Sequence, residues 1–403
     1  MIIYQLVIYS TLALTYLGLA LGYIPGLRMN RATIALVGST WLIALGVLTL
    51  QEAWQAIDVN TIIFLLSMMV INAHLTYSGF FNRAMSLLLN YTRSPLGLLT
   101  SITFGSGVLS AIFLNDTIAL ILTPLVLKLT QSLNCNPIPY LLAIAGATNI
   151  GSASMLSGNP QNILIGSFSQ IPYLEFLRLM APVALIGLLI QVAWLWLLYP
   201  EVRSLEPLDK LDLIINNSTN NYIDQPLWTK SGLITGGLLI AFLIGLPLAQ
   251  SALVAASLLL ITRQIKPQHI FQQIDGSLLV MFSGLFILTE ATQKLHLLDK
   301  LIQMTNSPIS FFSVTVVLSN LISNVPAVLL LHQSISHDNV KSWLLLSAGS
   351  TLAGNLTLLG SVANLIVAEA AISLSYRLGF WEHLRFGFPL TILTLFLAYL
   401  WIN

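Results

Sequence analysis

Leu114-Asn115-Asp116-Thr117 interrupts an apolar run at 96–130, and Ile322-Ser323-Asn324-Val325-Pro326 interrupts another at 309–331. Inside hydrocarbon an unpaired backbone N–H or C=O finds no water, so irregular chain at membrane depth persists only beside other protein or a wet cavity. These interruptions decide the fold if the runs around them lie in a membrane, and the composition says that they do. Of 403 residues, 56% are hydrophobic and 8% charged, whereas a soluble domain carries about 25% charged residues. Mean hydropathy is +0.85. Sixteen basic residues balance fifteen acidic ones, which leaves no basic field for nucleic acid. The apolar content excludes intrinsic disorder. Cys135 is the sole cysteine, so there is neither an intrachain disulfide nor a cysteine metal cluster.

A membrane-spanning helix needs about 20 apolar residues. The stretches 3–21, 32–50, 61–77, 138–166, 173–199, 231–249, 342–368 and 386–402 qualify, and 249–264 and 277–291 are shorter candidates. Met1 to Ser10 has no basic flank and predicts a first span rather than a cleaved leader. With the N-terminus outside and ten crossings, twelve basic residues, Arg28 and Arg31 among them, face the cytoplasm and four face outward. That is the positive-inside bias, and it puts both termini outside. Each interrupted run is either a re-entrant hairpin or a pair of full crossings, since both return the chain to the same side.

The chain also repeats itself. Gln55-Ala56-Ile57-Asp58 answers Gln272-Gln273-Ile274-Asp275, Asn115 answers Asn324, and Gly158-Asn159-Pro160-Gln161-Asn162 answers Gly360-Ser361-Val362-Ala363-Asn364, at separations of 217, 209 and 202 residues. The spacing predicts a first repeat over 1–199, a cytoplasmic connector at 200–230 and a second repeat over 231–403. An odd number of crossings per half makes the copies inverted. Inverted repeats with helices broken in matching places point to a secondary transporter. Helix N-termini at a break offer N–H groups and positive dipole ends to anions. Freed carbonyls and Asn side chains can hold a cation, while Pro160 and Pro326 keep the ladder from closing.

Ala147-Thr148-Asn149-Ile150-Gly151-Ser152, Gly158 to Asn162, Asn115 to Pro124, Ser323 to Pro326 and Gly354 to Ser361 together resemble the ion transporter superfamily. That superfamily holds arsenite permeases, citrate-type carriers and divalent-anion:sodium symporters, and the nearest likeness is to the arsenite-permease/citrate-transporter-like anion permeases. The resemblance covers nearly the whole chain. It implies an all-α polytopic membrane protein of about ten transmembrane helices plus two re-entrant hairpins, whose tips meet near the midplane. It places substrate at Asn115, Asp116 and Thr117 on one tip and at Ser323, Asn324 and Val325 on the other. Coupling ions would lie at Asp116, Gly158, Asn159 and Asn162, and at Gly360, Ser361 and Asn364. It also implies a homodimeric scaffold, elevator movement, a bacterial inner membrane, sodium or proton coupling, and no cofactor or transition metal. Asp116 and Val325-Pro326 depart from the Ser-Asn-Thr tips of the symporters.

From the residues alone, Asp116 is the leading candidate. A carboxylate within an apolar run is costly and serves as a cation ligand, a proton carrier, or a cap on a helix starting at Thr117. Asn115 and Asn324 read as site residues or caps, and Asn162 and Asn364 as ligands or interhelical hydrogen-bond partners. Asn149 and Asn355 lack a repeat counterpart and rank lower. Asp58 and Asp275 read as interfacial caps. His74 should bond a neighbouring helix, whereas His269, His296, His332, His337 and His383 should be solvated. Gly232 and Gly236 have the spacing of a helix-packing motif, and 80–93 and 293–303 read as amphipathic surface linkers. No hydrolase, metalloprotease or phosphate-loop motif occurs. The sequence thus predicts a carrier of a small anion, with an arsenite-type extruder or sodium/proton antiporter as the alternative, rather than an enzyme or a pump.

Overall fold

The computed structural model describes residues 2–90, 92–204, 225–261, 264–297, 304–373 and 375–403. Most of the connector, 205–224, and the end of the second linker, 298–303, lie outside the described residues. The first half comprises α1 (Ile2–Leu21), α2 (Arg31–Ala44), α3 (Leu50–Ala56), α4 (Val59–Tyr77), α5 (Phe80–Asn90), α6 (Pro95–Ile112), α7 (Asn115–Ser132), α8 (Ile138–Ser152), α9 (Pro160–Ser169) and α10 (Tyr173–Leu198). The second comprises α11 (Gln225–Leu243), α12 (Leu248–Leu260), α13 (Pro267–Gln272), α14 (Gly276–Lys294), α15 (Pro308–Ile322), α16 (Asn324–Leu331), α17 (Val340–Leu352), α18 (Val362–Ser373) and α19 (Phe380–Ile402).

Local chemistry starts these helices where it should. Asp58 and Asp275 cap α4 and α14, accepting from the N–H groups of Thr61 at 2.7 Å and Leu278 at 3.1 Å. Both are the caps that their positions suggested. Ser94, Asn159 and Ser307 cap α6, α9 and α15, each followed by a proline at the first helical position. Proline there loses no bond and has its φ already set.

Among the described residues seven helices, α1, α4, α6, α10, α11, α14 and α19, are long and apolar enough to cross a membrane. α2, α12, α15 and α18 are shorter apolar helices. The protein is an all-α polytopic membrane protein. Several boundaries differ from the sequence reading. The stretch 32–50 is not one helix: α2 stops at Ala44, Gly46 at φ +72 turns the chain, and Thr49 with Glu52 caps a new helix from Leu50. Residues 225–230, read as connector, already belong to α11. α19 begins at Phe380, before the apolar stretch at 386–402.

Packing recurs between the halves. α6 lies on α8 and α15 on α17; α2 packs against α14 and α4 against α12; α7 meets α18 and α16 meets α9. The α6–α8 crossing brings backbones into contact: a Cβ added to Gly151 would sit 2.1 Å from the Gly107 carbonyl oxygen. Only glycine fits such an approach. From Pro139 to Ser152 every residue of α8 is buried, as is all of α16. By contrast Leu233 and Ile240 of α11 and Phe396 and Leu400 of α19 are exposed, as lipid-facing side chains are.

Candidate substrate site

The first tip is made by Phe113 and Leu114, which leave α6 in extended conformation and hand over to α7 at Asn115. Phe113 packs edge-on against Phe80 and Phe81 of α5, with ring centroids 5.8 and 5.5 Å away. The Asn115 N–H donates to the Gly158 carbonyl at 2.9 Å, tying this tip to the gap between α8 and α9. At the second tip Ser323 alone separates α15 from α16, at φ +87 and ψ 155. That region is essentially reserved for glycine and costs about 1–3 kcal/mol in other residues. The Asn324 Oδ1 accepts from the Ser319 hydroxyl at 2.5 Å.

Both tips line one cavity. Asn115 and Asp116 open α7, Asn324 and Val325 open α16, Pro160 and Gln161 open α9, and Ser361 and Val362 lie at the start of α18; all of them border it. Four helix N-termini therefore converge. Each presents a positive dipole end equivalent to roughly half a charge, so the cavity favours an anion before any side chain is counted. Leu19, Arg31, Leu278, Met281, Phe282 and Leu285, from α1, α2 and α14, form the facing wall. The centre of a water molecule can reach about 50 Å³ of this space, room for a few waters or a small ion. Ser323 and Gly360 also line it.

Asp116 borders a second cavity of about 220 Å³ as well, shared with Asn72, Thr117, Gln273 and Asp275. The helix begins at Asn115 with Leu114 in the capping position and no side-chain cap. Asp116 therefore sits in the first turn and does not cap a helix starting at Thr117. Among the described residues no hydrogen bond or ion pair reaches its carboxylate. The Asn72 amide donates to the Thr117 hydroxyl at 3.3 Å, so Thr117 faces the second cavity rather than the first.

Behind the tips lies a buried polar cluster. Asn149 accepts from the Asn115 amide at 3.2 Å and from the Ser361 hydroxyl at 2.9 Å. Its own amide donates to the Oδ1 atoms of Asn355 at 2.8 Å and Asn364 at 3.2 Å. Asn149 thus joins the first tip to the second broken helix, a role that the repeat comparison could not show because residue 351 across the repeat is a threonine. Asn162 and Asn364 hold their breaks closed. The Asn162 amide donates to the carbonyls of Ser152 at 3.1 Å and Met155 at 3.0 Å. The Asn364 amide donates to those of Gly354 at 2.9 Å and Thr357 at 3.2 Å. Asn159 caps α9 and donates to the Ser152 hydroxyl at 2.9 Å. Asn159, Asn162 and Asn364 are all buried away from the cavity wall, and Gly158 contributes its backbone carbonyl.

Two histidine readings change. His383 is fully buried in α19, its Nε2 at 3.2 Å from the Asn355 carbonyl oxygen. His332 stacks on Phe168 with centroids 4.2 Å apart instead of being solvated. His74 meets the Val70 carbonyl of its own helix at 2.9 Å and is also reached by the Leu259 backbone of α12, the neighbouring helix. Each lies at a helix packing that only the assembled chain reveals. Arg31, counted among cytoplasmic charges, was also missed, since nothing in its neighbourhood at 28–34 marks it as part of a cavity.

Comparison with known proteins agrees with this fold. The chain is 29% identical to a silicon efflux transporter of Oryza sativa subsp. japonica, over 92% of this chain and 91% of the relative. It is 26% identical to the putative transporter arsB of Dictyostelium discoideum, over 92% and 87%. A 46 kDa membrane protein of Mycobacterium leprae is 26% identical over 98% and 99%. Among solved structures, the YdaH transporter of Alcanivorax borkumensis superposes with a TM-score of 0.53 at 15% identity, over 99% of this chain and 96% of that one, and shares the fold. The citrate transporter family profile matches residues 16–338. The chain belongs to the citrate transporter family and is a membrane transporter, not an enzyme.

Proposed function

We propose that this transporter is a secondary active carrier of a small anion, coupled to a sodium or proton gradient. The observation that carries the reading is the convergence of four helix N-termini on one cavity beside Asp116. An anion gains there from dipole ends and unpaired N–H groups, and a carboxylate beside it gives a cation or proton a place to bind with the cargo. Residues 1–199 and 231–403 act as inverted repeats. In support, the Ser110 hydroxyl donates to the Thr148 carbonyl at 3.0 Å and the Ser319 hydroxyl to the Ser350 carbonyl at 2.9 Å, separated by the same intervals as the motifs. The hairpins and broken helices move as one body against a homodimeric scaffold, in elevator fashion. Arg31 opens α2 and Asp275 precedes α14, ends that the basic-residue count assigns to the cytoplasm. The cavities then open inward, with both termini outside a bacterial inner membrane.

The alternative, arsenite-type efflux or sodium/proton antiport, draws on the Asp116 carboxylate standing between two cavities without a hydrogen bond among the described residues. Counterflow of labelled anions in proteoliposomes, under imposed sodium or proton gradients, separates the two. The expected result is saturable anion counterflow in the wild type and, in a well-folded Asp116→Asn protein, loss of gradient-driven uptake to background. Full coupled flux in that variant removes Asp116 from the mechanism. Ion-for-proton exchange without anion movement selects the antiporter, and a non-saturating current makes the protein a channel.

A further inference from the structure

The wall facing the hairpin tips is apolar except at one place. Leu19, Leu278, Met281, Phe282 and Leu285 surround Arg31, which lines the same cavity as Asn115, Asp116, Ser323 and Asn324. Arg31 is the first residue of α2, the position where a helix dipole is least favourable to a cation. Its Nε donates to the Leu19 carbonyl at 3.2 Å. That carbonyl belongs to the last turn of α1, the negative end of its dipole, so one edge of the guanidinium is anchored and the side chain is held in place. Nη1 and Nη2 have no hydrogen-bond partner among the described residues, and no ion pair joins Arg31 to Asp116 across the cavity. A partly buried cation with two free amino groups on an apolar wall is costly unless an anion completes it.

We infer that Arg31 is the substrate-binding group contributed by the α1–α2–α14 wall, and that the cargo is an oxyanion whose two oxygens accept from Nη1 and Nη2. The guanidinium fork matches a carboxylate or a tetrahedral oxyanion and gives no such fit to an uncharged hydroxide. This rests on the carrier reading and gives its cargo a chemical class. The anion then bridges the two parts of the site. Helix N-termini hold it from the hairpin side and Arg31 from the opposite wall.

The test uses the purified full chain and three variants, Arg31→Gln, Arg31→Lys and Asn324→Ala. Thermal shift and proteoliposome counterflow are read with inorganic phosphate, sulfate, citrate and silicic acid at neutral pH, where silicic acid is uncharged. The expected result is that at least one oxyanion binds the wild type and that Arg31→Gln weakens it about 30-fold or more, the loss typical of truncating one side of a buried charged pair. Arg31→Lys should recover part of the affinity, since it restores charge but not the fork. If Arg31→Gln binds the oxyanion as the wild type does while Asn324→Ala does not, the inference falls and the carrier reading stands. Binding of silicic acid alone, unaffected by Arg31→Gln, likewise overturns the inference and leaves a carrier whose cargo is uncharged rather than an anion. If the wild type neither binds nor moves any of the four, both readings fall. Should Arg31→Gln fail to fold, a wild-type shift with silicic acid but with none of the three oxyanions overturns the inference, and partial binding by Arg31→Lys upholds it.

Discussion

Ser323 shows how one residue can store strain at a hairpin tip. Its φ of +87 with ψ 155 lies where a Cβ is crowded, and its hydroxyl does not cap α16. The conformation is imposed by its neighbours: the Ser319 hydroxyl holds Asn324 and also bonds the Ser350 carbonyl, fixing the tip on α17. Replacing Ser323 by glycine removes the Cβ without touching those bonds. Ser323→Gly should therefore stabilise the protein by about 1 kcal/mol, toward the low end of the cost for such a conformation because glycine also frees the unfolded chain. Thermal unfolding in detergent checks this, and a lowered midpoint would show that the serine is not strained. The first tip has no counterpart to this strain, since Phe113 and Leu114 are extended at negative φ. The hairpins are alike in place but not in mechanics.

At the scale of elements, the gaps in α8–α9 and α17–α18 are held by the same device. A break frees carbonyls that would cost about 1–3 kcal/mol each if buried without partners. One asparagine amide, Asn162 or Asn364, reaches back to two of them. Asn162→Ala and Asn364→Ala should each destabilise by about 2–4 kcal/mol, and by similar amounts, because their bonds are counterparts. Urea or thermal unfolding of the two variants side by side is the check; a large disparity would mean that one break is held by something else. These asparagines also show what the sequence can disclose. The interruptions are legible because Asn, Ser, Gly and Pro inside apolar runs conflict with the solvent around them. Their pairing across the chain is legible because spacing survives in the order of motifs. The choice between ligand and staple is not, since it depends on where a side chain points once two segments have packed. Asn149 and Asn355 are 206 residues apart and belong to one cluster only through the fold. Arg31 and His383 escaped notice for the same reason, each being an ordinary helix residue until a tip or a break is packed beside it.

For the whole molecule, the two halves are interlaced rather than set side by side. α2 of the first half packs on α14 of the second, and α4 on α12, so neither half can open without breaking contacts with the other. The Glu52–Lys294 ion pair, 2.6 Å long, clasps one edge of this arrangement where α3 meets the end of α14. Glu52 also completes the capping box of α3 with Thr49. The hydrogen bond from Lys294 comes first, then the Thr49 backbone N–H, in holding its carboxyl down to about 2 from an ordinary 4.5. An acid lowered in the folded state adds stability that is complete above its ordinary value and is lost as pH falls through the folded one. The window for this pair therefore runs from 4.5 down toward 2. Both side chains are largely open to water, at 46% and 41%, so the pair is weak and screened by salt. The melting temperature of Glu52→Gln should lie slightly below that of the wild type by a margin that is constant at neutral pH and shrinks only below the carboxylate's ordinary range. Molar salt should narrow this margin without abolishing it, because the neutral amide of the variant accepts the Thr49 N–H more weakly than the carboxylate does. A margin that instead changed between pH 6 and pH 8, roughly where histidines titrate, would place the linkage on another group and leave the clasp without a part in holding the halves together.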